Sequence, residues 1–381
     1  MRKSVAILGS TGSIGRTLLK ILEKDKKNFK IELLTANKNY KLLINQAKKF
    51  NVKNLIISDY KSFIKAKKII KKKKINIYNN YNLIDKIPGK KIDYTMSSIV
   101  GIEGLLPTIK IIKRTKKIAI ANKEAIICGW DLIKKEIKKY KTIFLPVDSE
   151  HFSIWEILNS KFTPKIEKIY ITASGGPFLH KSIKEIKKVK IHQALKHPNW
   201  IMGKKISIDS ATMMNKVFEV IETKNIFNIP YNKINILVHP KSYIHAIVKF
   251  KNGITKILVH DTSMKIPIFN TLYYGENKII NSKFLDLNKM NNLNLKHINL
   301  KKFTSIKILK KLPKISSLYE TIIVTANDEF VNLFLRKKIK FNQISQKLLR
   351  FIKIKEFQKY KRHRPKNIHE IVELSKYVSL K

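Results

Sequence analysis

The stretch "KSVAILGSTGSIGRTLLKILEK" at residues 3–24 passes from an unbroken apolar run, through glycines at 9, 12 and 15, into leucines at 18, 19 and 22. An apolar run without alternation predicts a strand buried on both faces, and the three leucines fall on one side of a helix. Glycines spaced G-x-x-G-x-x-G between strand and helix let the backbone turn tightly and approach a pyrophosphate, which the helix N-terminus attracts. An ordinary tight turn is the other reading of this loop. The alternation then repeats: strands over 29–36, 52–58, 92–99, 116–122 and 141–148, with helical patterns over 40–50 and 60–74. Such alternation predicts an α/β protein whose N-terminal domain, residues 1–148, is a doubly wound, Rossmann-like, dinucleotide-binding sheet.

At 381 residues the chain exceeds a single typical core. Strand and helix patterns mix less regularly over 149–275, which reads as a central α+β catalytic domain. An Asn-rich stretch, "MNNLNLKHINL", marks 276–300 as a linker, and "YETIIVTANDEFVNLFLRKK" and "FNQISQKLLRFIK" make 301–381 a C-terminal helical domain. No apolar run reaches the roughly 20 residues a bilayer requires, and the N-terminus does not read as a signal peptide. The lone Cys128 excludes an intramolecular disulfide and a cysteine-built zinc site, so a reducing, cytoplasmic setting is expected.

The formal charge of +52 raises the question of nucleic acid. Only seven of the 79 basic residues are arginine, the residue best suited to reading base edges (Arg2, Arg16, Arg114, Arg336, Arg350, Arg362 and Arg364). The lysines are spread along the whole chain, and runs such as "KKIIKKKKI" (67–75) read as solvated faces. No specific nucleic-acid partner is expected.

Polar clusters supply the candidate chemistry. After the second strand stands "TANKN", with Asn37, Lys38 and Asn39 where an NAD site usually carries an acid, so a ribose 2′-phosphate and NADPH are favoured. Ser174 lies beside two glycines in "SGGPF", and His197, Trp200 and Met202 lie in "HPNWIMG". Trp200 and Met202 could also be plain core. In "SATMMNKVFE", Ser210 precedes a helical pattern in which Asn215 and Glu219 share a face with Lys216 beside them. Hydroxyls, an amide and a lysine suit a phosphate. Asp148 and Glu150 in "PVDSEH", one residue apart, repel unless a cation lies between them. With Glu219 they form an oxygen-only donor set suited to Mg2+ or Mn2+, although each could be a solvated surface acid.

The ordered motifs "GSTGSIG", "ANKEA", "PVDSEH", "SGGPF", "HPNWIMG", "KISIDSATMMNK" and "HPKSYIH" closely resemble those of the 1-deoxy-D-xylulose-5-phosphate reductoisomerase family. The resemblance covers residues 1 to about 280 and continues more loosely around "TANDEF" (325–330). It implies NADPH- and divalent-metal-dependent conversion of 1-deoxy-D-xylulose 5-phosphate to 2-C-methyl-D-erythritol 4-phosphate, a step toward isoprenoid precursors, by a homodimer. It implies that Asp148, Glu150 and Glu219 bind the metal and that Lys123 and Ser149 meet the reacting end of the substrate. Ser174, Ser210, Asn215 and Lys216 would hold the phosphate, and His197, Trp200 and Met202 would belong to a lid. Thr11, Gly12, Ser13, Ile14, Asn37, Lys38, Asn39, Asn122, Glu124 and Gly203 match cofactor positions.

Three positions depart from the family pattern: Ala125 where serine is more usual, and Asn37 and Val217 where glycine is. None removes a ligand. Semialdehyde dehydrogenases share the glycine loop and use a cysteine nucleophile, but Cys128 stands inside an apolar stretch where a thiol is usually inert packing.

Overall fold

The uninterrupted apolar run near the N-terminus becomes β1 (Lys3–Leu8), the central strand of a parallel sheet, and Val5 to Leu8 have no solvent exposure at all. A computed structural model of the chain describes residues 2–70, 75–87, 90–160 and 163–381. It divides into two compact units, the first made of 1–125, 131–148 and 264–280, the second of 126–130, 149–263 and 281–381.

In the first unit the strands are β1, β2 (Phe29–Ala36), β3 (Asn54–Ile57), β4 (Asn76–Tyr78), β5 (Ile92–Ser97), β6 (Thr115–Ile120) and β7 (Ile143–Pro146), in the order β4-β3-β2-β1-β5-β6-β7. All pair parallel. Winding reverses between β1 and β5, and ligands of such sheets bind at the carboxyl ends of the strands at that reversal. Helix α1 (Ser13–Lys24) buries Leu18, Leu19, Ile21 and Leu22, the stripe that the leucine spacing predicts. Helices α2 (Tyr40–Phe50), α3 (Tyr60–Ile69), α4 (Leu105–Ile112) and α5 (Lys123–Tyr140) follow. The helix expected over 60–74 stops at Ile69, and residues 71–74 of the lysine run lie outside the described residues. The segment 264–280 belongs here: Thr271 meets the Tyr94 hydroxyl at 3.0 Å, and Tyr273 donates to Asp25 at 2.7 Å.

The second unit is built on a mixed sheet, β11-β10-β8-β9-β12, formed by β8 (Ile166–Ala173), β9 (Ile234–Val238), β10 (Ile244–Phe250), β11 (Thr255–Val259) and β12 (Lys296–His297). The short edge strand β12 comes from the Asn-rich stretch and pairs antiparallel with β9. Helices α6 (Ser149–Leu158) and α10 (Met214–Phe227) cover the sheet, burying Ile154, Ile157 and Val220 against Ile169, Ile171, Val248 and Phe250. Between β8 and α10 run three short helices, α7 (Ile183–Ile186), α8 (Ile191–Leu195) and α9 (Lys204–Ala211). The C-terminal helices are α11 (Leu318–Leu335), α12 (Phe341–Phe351) and α13 (Ile368–Ser379). A second apolar cluster joins Phe178, Ile186, Ala194 and Ile208 to Val331 and Phe334 of α11 and to Phe341 and Ile344 of α12. Among the described residues no helix is long and apolar enough to cross a membrane.

Candidate active site

Two different constructions carry the expected residues. In the first unit the loop after β1 is made of backbone. Gly9 adopts φ +86°, a conformation that disfavours side chains, and a Cβ on Gly15 would lie 2.5 Å from the Ser10 Cα and 2.6 Å from the Gly9 carbonyl oxygen. Thr35 fastens the loop: its hydroxyl accepts from the Gly9 N–H at 2.8 Å and its carbonyl from the Ser10 N–H at 2.9 Å. Gln46 and Ser10 bond each other twice. The helix α1 that follows starts at Gly12 without a side-chain cap, and Gly12 and Ser13 are exposed. First-turn N–H groups without protein partners form an anion site. Thr11 and Ile14 border it, half-buried.

Asn37, Lys38 and Asn39 are exposed beyond β2. Asn37 donates to Ser58 at 2.9 Å, Asn39 caps α2 through the Leu42 N–H, and Lys38 is exposed with its charge acting on Asp59. Asn122 and Glu124 are spent on the protein's own loop: Asn122 donates to the carbonyls of Ile99 and Gly101, and Glu124 accepts from the Gly101 N–H at 3.3 Å. Lys123 is paired with Asp148, which belongs to the same unit. Gly203 belongs to the second unit, where it precedes α9 with ordinary backbone angles.

The second unit assembles charge. Ser149 and Glu150 open α6, and Asn215, Lys216 and Glu219 lie in the first turns of α10. The Lys216 ammonium bridges Glu150 and Glu219, Ser149 donates to the other Glu150 oxygen at 2.6 Å, and Asn215 donates to the other Glu219 oxygen. Glu150 is 9 % exposed and Glu219 1 %. Burial works against the charge on Lys216, but the two carboxylates outweigh it and hold the ammonium above its ordinary value. The two buried carboxylates share one ammonium, and every metal-ligating atom they offer is oxygen. That donor set fits a hard divalent cation.

Beside it stands a neutral group. Ser174, just past β8, meets His197 Nε2 at 3.0 Å and accepts from the Gly176 N–H at 3.0 Å. Burial, aided by the charge of Lys216, pulls His197 down to about 4. Gly176, at φ +66°, brings this loop against α9, for a Cβ there would lie 3.0 Å from the Ser210 carbonyl. Met213, at φ 64°, turns the chain from α9 into α10, whose N-terminus has no side-chain cap. Thus hydroxyls, an amide, an ammonium and a helix start share one unit, as phosphate chemistry requires. Trp200 packs edge-on to His245, with ring centroids 6.2 Å apart, and Met202 is half-buried.

The sequence reading missed several residues here. His245 stacks on His260 at 3.7 Å, and burial with that neighbour pulls His245 down to about 3. His151, inside "PVDSEH", contacts the Glu219 carbonyl and Thr223 through Nε2. Asn327 of "TANDEF" donates to Asp209 at 2.8 Å, fixing the residue before Ser210. His151, Asn327 and His245, the last residue of "HPKSYIH", stand inside motifs that could have signalled them, whereas His260 does not. Cys128 is 2 % exposed, so it lacks the access that a catalytic thiolate needs.

Three family profiles match. One described as 1-deoxy-D-xylulose 5-phosphate reductoisomerase covers 5–129, one described as its C-terminal domain covers 144–227, and one described as DXP reductoisomerase C-terminal domain covers 260–379. A reductoisomerase of Pelagibacter ubique (strain HTCC1062) is 59 % identical over 381 residues, spanning 100 % of this chain and 98 % of its own. One from Wolbachia sp. subsp. Drosophila simulans (strain wRi) is 41 % identical, spanning 90 % and 88 %. The Zymomonas mobilis reductoisomerase solved with NADPH superposes with TM-score 0.87 at 30 % identity, over 100 % of this chain and 98 % of the other. A DOX-P reductoisomerase solved with NADPH, fosmidomycin and magnesium gives 0.91 at 30 % identity, over 99 % and 97 %. Likeness of that extent, running through both the glycine loop and the buried carboxylates, leaves one assignment: the chain belongs to the 1-deoxy-D-xylulose 5-phosphate reductoisomerase family.

Proposed function

We propose that this chain converts 1-deoxy-D-xylulose 5-phosphate to 2-C-methyl-D-erythritol 4-phosphate, with its residues in the following roles. The observation that carries the assignment is the buried Glu150–Lys216–Glu219 group at the start of α10, with Ser149 and Asn215 bonded to it. Asp148, Glu150 and Glu219 hold Mg2+ or Mn2+. A cation held there would act as a Lewis acid on the substrate's oxygens and so ease the carbon-skeleton rearrangement. Bound at the glycine loop, NADPH would supply the hydride for reduction of the aldehyde.

The remaining roles belong to side chains. Ser149 and Lys123 orient the reacting end. Lys216 exchanges its carboxylate partners for the phosphate, which Ser174, Ser210 and Asn215 also bind. His197, neutral because it is buried, lies with Trp200 and Met202 in a lid that excludes water. Thr11, Gly12, Ser13 and Ile14 take the cofactor's pyrophosphate, Lys38 with Asn37 and Asn39 takes its 2′-phosphate, and Asn122, Glu124 and Gly203 complete the cofactor site. Family membership supports a homodimer, and the single buried thiol supports a cytoplasmic setting.

The test is NADPH oxidation by the purified chain with 1-deoxy-D-xylulose 5-phosphate, with and without EDTA, and with NADH in parallel. Turnover that EDTA abolishes, with NADPH preferred by at least about tenfold as one displaced charged contact allows, is the expected result. Turnover in EDTA would remove the metal from the reading.

A further inference from the structure

Asn199 stands between His197 and Trp200, and its side chain reaches neither the carboxylates nor Ser174. Its Nδ2 donates instead to the Pro240 carbonyl at 2.7 Å and to the Ser242 hydroxyl at 2.8 Å. Those two residues form the turn from β9 to β10. The turn is firmly held: the Ser242 N–H donates to the His239 carbonyl at 3.0 Å, and the His239 N–H to the Ala173 carbonyl at 2.7 Å. Ala173 is the residue before Ser174. Asn199 thus ties the loop 197–202 to the strand end that carries Ser174.

The same residue shapes His197. The main-chain N–H groups of Asn199 and Trp200 both donate to His197 Nδ1, at 3.1 and 3.0 Å. Nδ1 is therefore the acceptor, and Nε2 carries the proton that it donates to the Ser174 oxygen. Gly176 donates to that oxygen as well, so the hydroxyl's own proton is directed away from both donors. A serine held this way is a hydrogen-bond donor toward a phosphate.

We propose that Asn199 is a positioning residue that latches the loop 197–202 closed, and that it thereby keeps His197 in the tautomer that presents Ser174 as a phosphate donor. This rests on the reductoisomerase reading and deepens it. No role in bond making is involved, so the latch acts on substrate retention.

The test compares the parent, Asn199→Ala, Ser242→Ala and the double variant, by steady-state kinetics and by amide hydrogen exchange without ligand. Asn199→Ala raises KM for 1-deoxy-D-xylulose 5-phosphate about tenfold, the size of two neutral hydrogen bonds partly replaced by water. Its kcat stays within about threefold, since only uniform binding is lost. KM for NADPH is unchanged, and exchange accelerates at 197–203 but not in β8 or β10. Ser242→Ala, which removes one of the two acceptors, gives a smaller shift of the same kind, and the double variant is no worse than Asn199→Ala. An unchanged KM, a fall in kcat with KM constant, or unchanged exchange at 197–203 overturns the latch. A folded parent that fails to oxidise NADPH overturns the reductoisomerase reading instead, and hydrogen exchange still decides whether Asn199 holds the loop.

Discussion

The glycine loop of the first unit and the carboxylate–lysine group of the second solve opposite problems. The loop is neutral, partly exposed, and made of main-chain atoms that Thr35 and Gln46 hold in place. The group on α6 and α10 is buried and charged, and both carboxylates share the same ammonium. The difference teaches where fragility lies. Removing one partner from a backbone-built site shifts a contact, whereas removing one from a buried charge set strands the others in low dielectric.

Lys216→Ala should sharpen this contrast most. It leaves Glu150 and Glu219 buried together without their cation, a change worth about 3–5 kcal/mol for a broken buried pair. Calorimetry in EDTA should show a lower Tm, and added Mg2+ should return part of it. Acidification should narrow the gap to the parent, because protonating the stranded carboxylates removes their repulsion. KM for substrate should rise as well, by the loss of a phosphate contact. A variant as stable as the parent at neutral pH would place Lys216 outside the charge balance.

Next in size are Glu150→Gln and Glu219→Gln. Each keeps shape and removes one negative charge, so kcat should fall on the order of 10²-fold, as when one preorganised electrostatic partner is lost. The double variant should cost less than the product of the singles, since a site already emptied of its cation has little left to lose. NADPH binding, followed by fluorescence titration, should hardly change. A parallel loss of NADPH affinity would break the separation between backbone-built and charge-built sites.

The smallest effects should come from the loop. In Gly15→Ala the new Cβ meets main-chain atoms that cannot swing aside. NADPH affinity should drop about tenfold, near 1.4 kcal/mol. Gly203→Ala, where nothing lies within 4 Å of the added carbon, should fold like the parent, with an unchanged Tm. Equal destabilisation by both substitutions would show that the loop's tightness is not what matters.

Legibility followed the same divide. The strands of the first sheet could be read because parallel strands buried on both faces are continuous apolar runs, as in residues 5–8 and 55–57. β4, three residues beyond the lysine run, and β12, only Lys296 and His297, carry no apolar pattern; their neighbours define them. Helix α5 also escaped, since the apolar and basic residues of 123–140 are interrupted at Gly129, where the backbone leaves helical angles. In the site, the residues within dense motifs were legible and the supports were not. Asn199 finds its acceptors 41 and 43 residues away, and Asn327 finds Asp209 at 118.

By itself the amino-acid sequence determined the local elements: the strand–glycine loop–helix opening, the lysine-rich solvated faces, and the residue types that a metal and a phosphate need. These depend on neighbours within a few positions, where periodicity and turn chemistry act. Tertiary structure alone decided that Lys216 lies between Glu150, 66 residues earlier in the chain, and Glu219 on its own helix. It also decided that His197 is neutral and donates through Nε2, and that Asn199 is fastened to the turn after β9. Charge state and tautomer follow from burial and from partners distant in the chain, and only the folded chain supplies both.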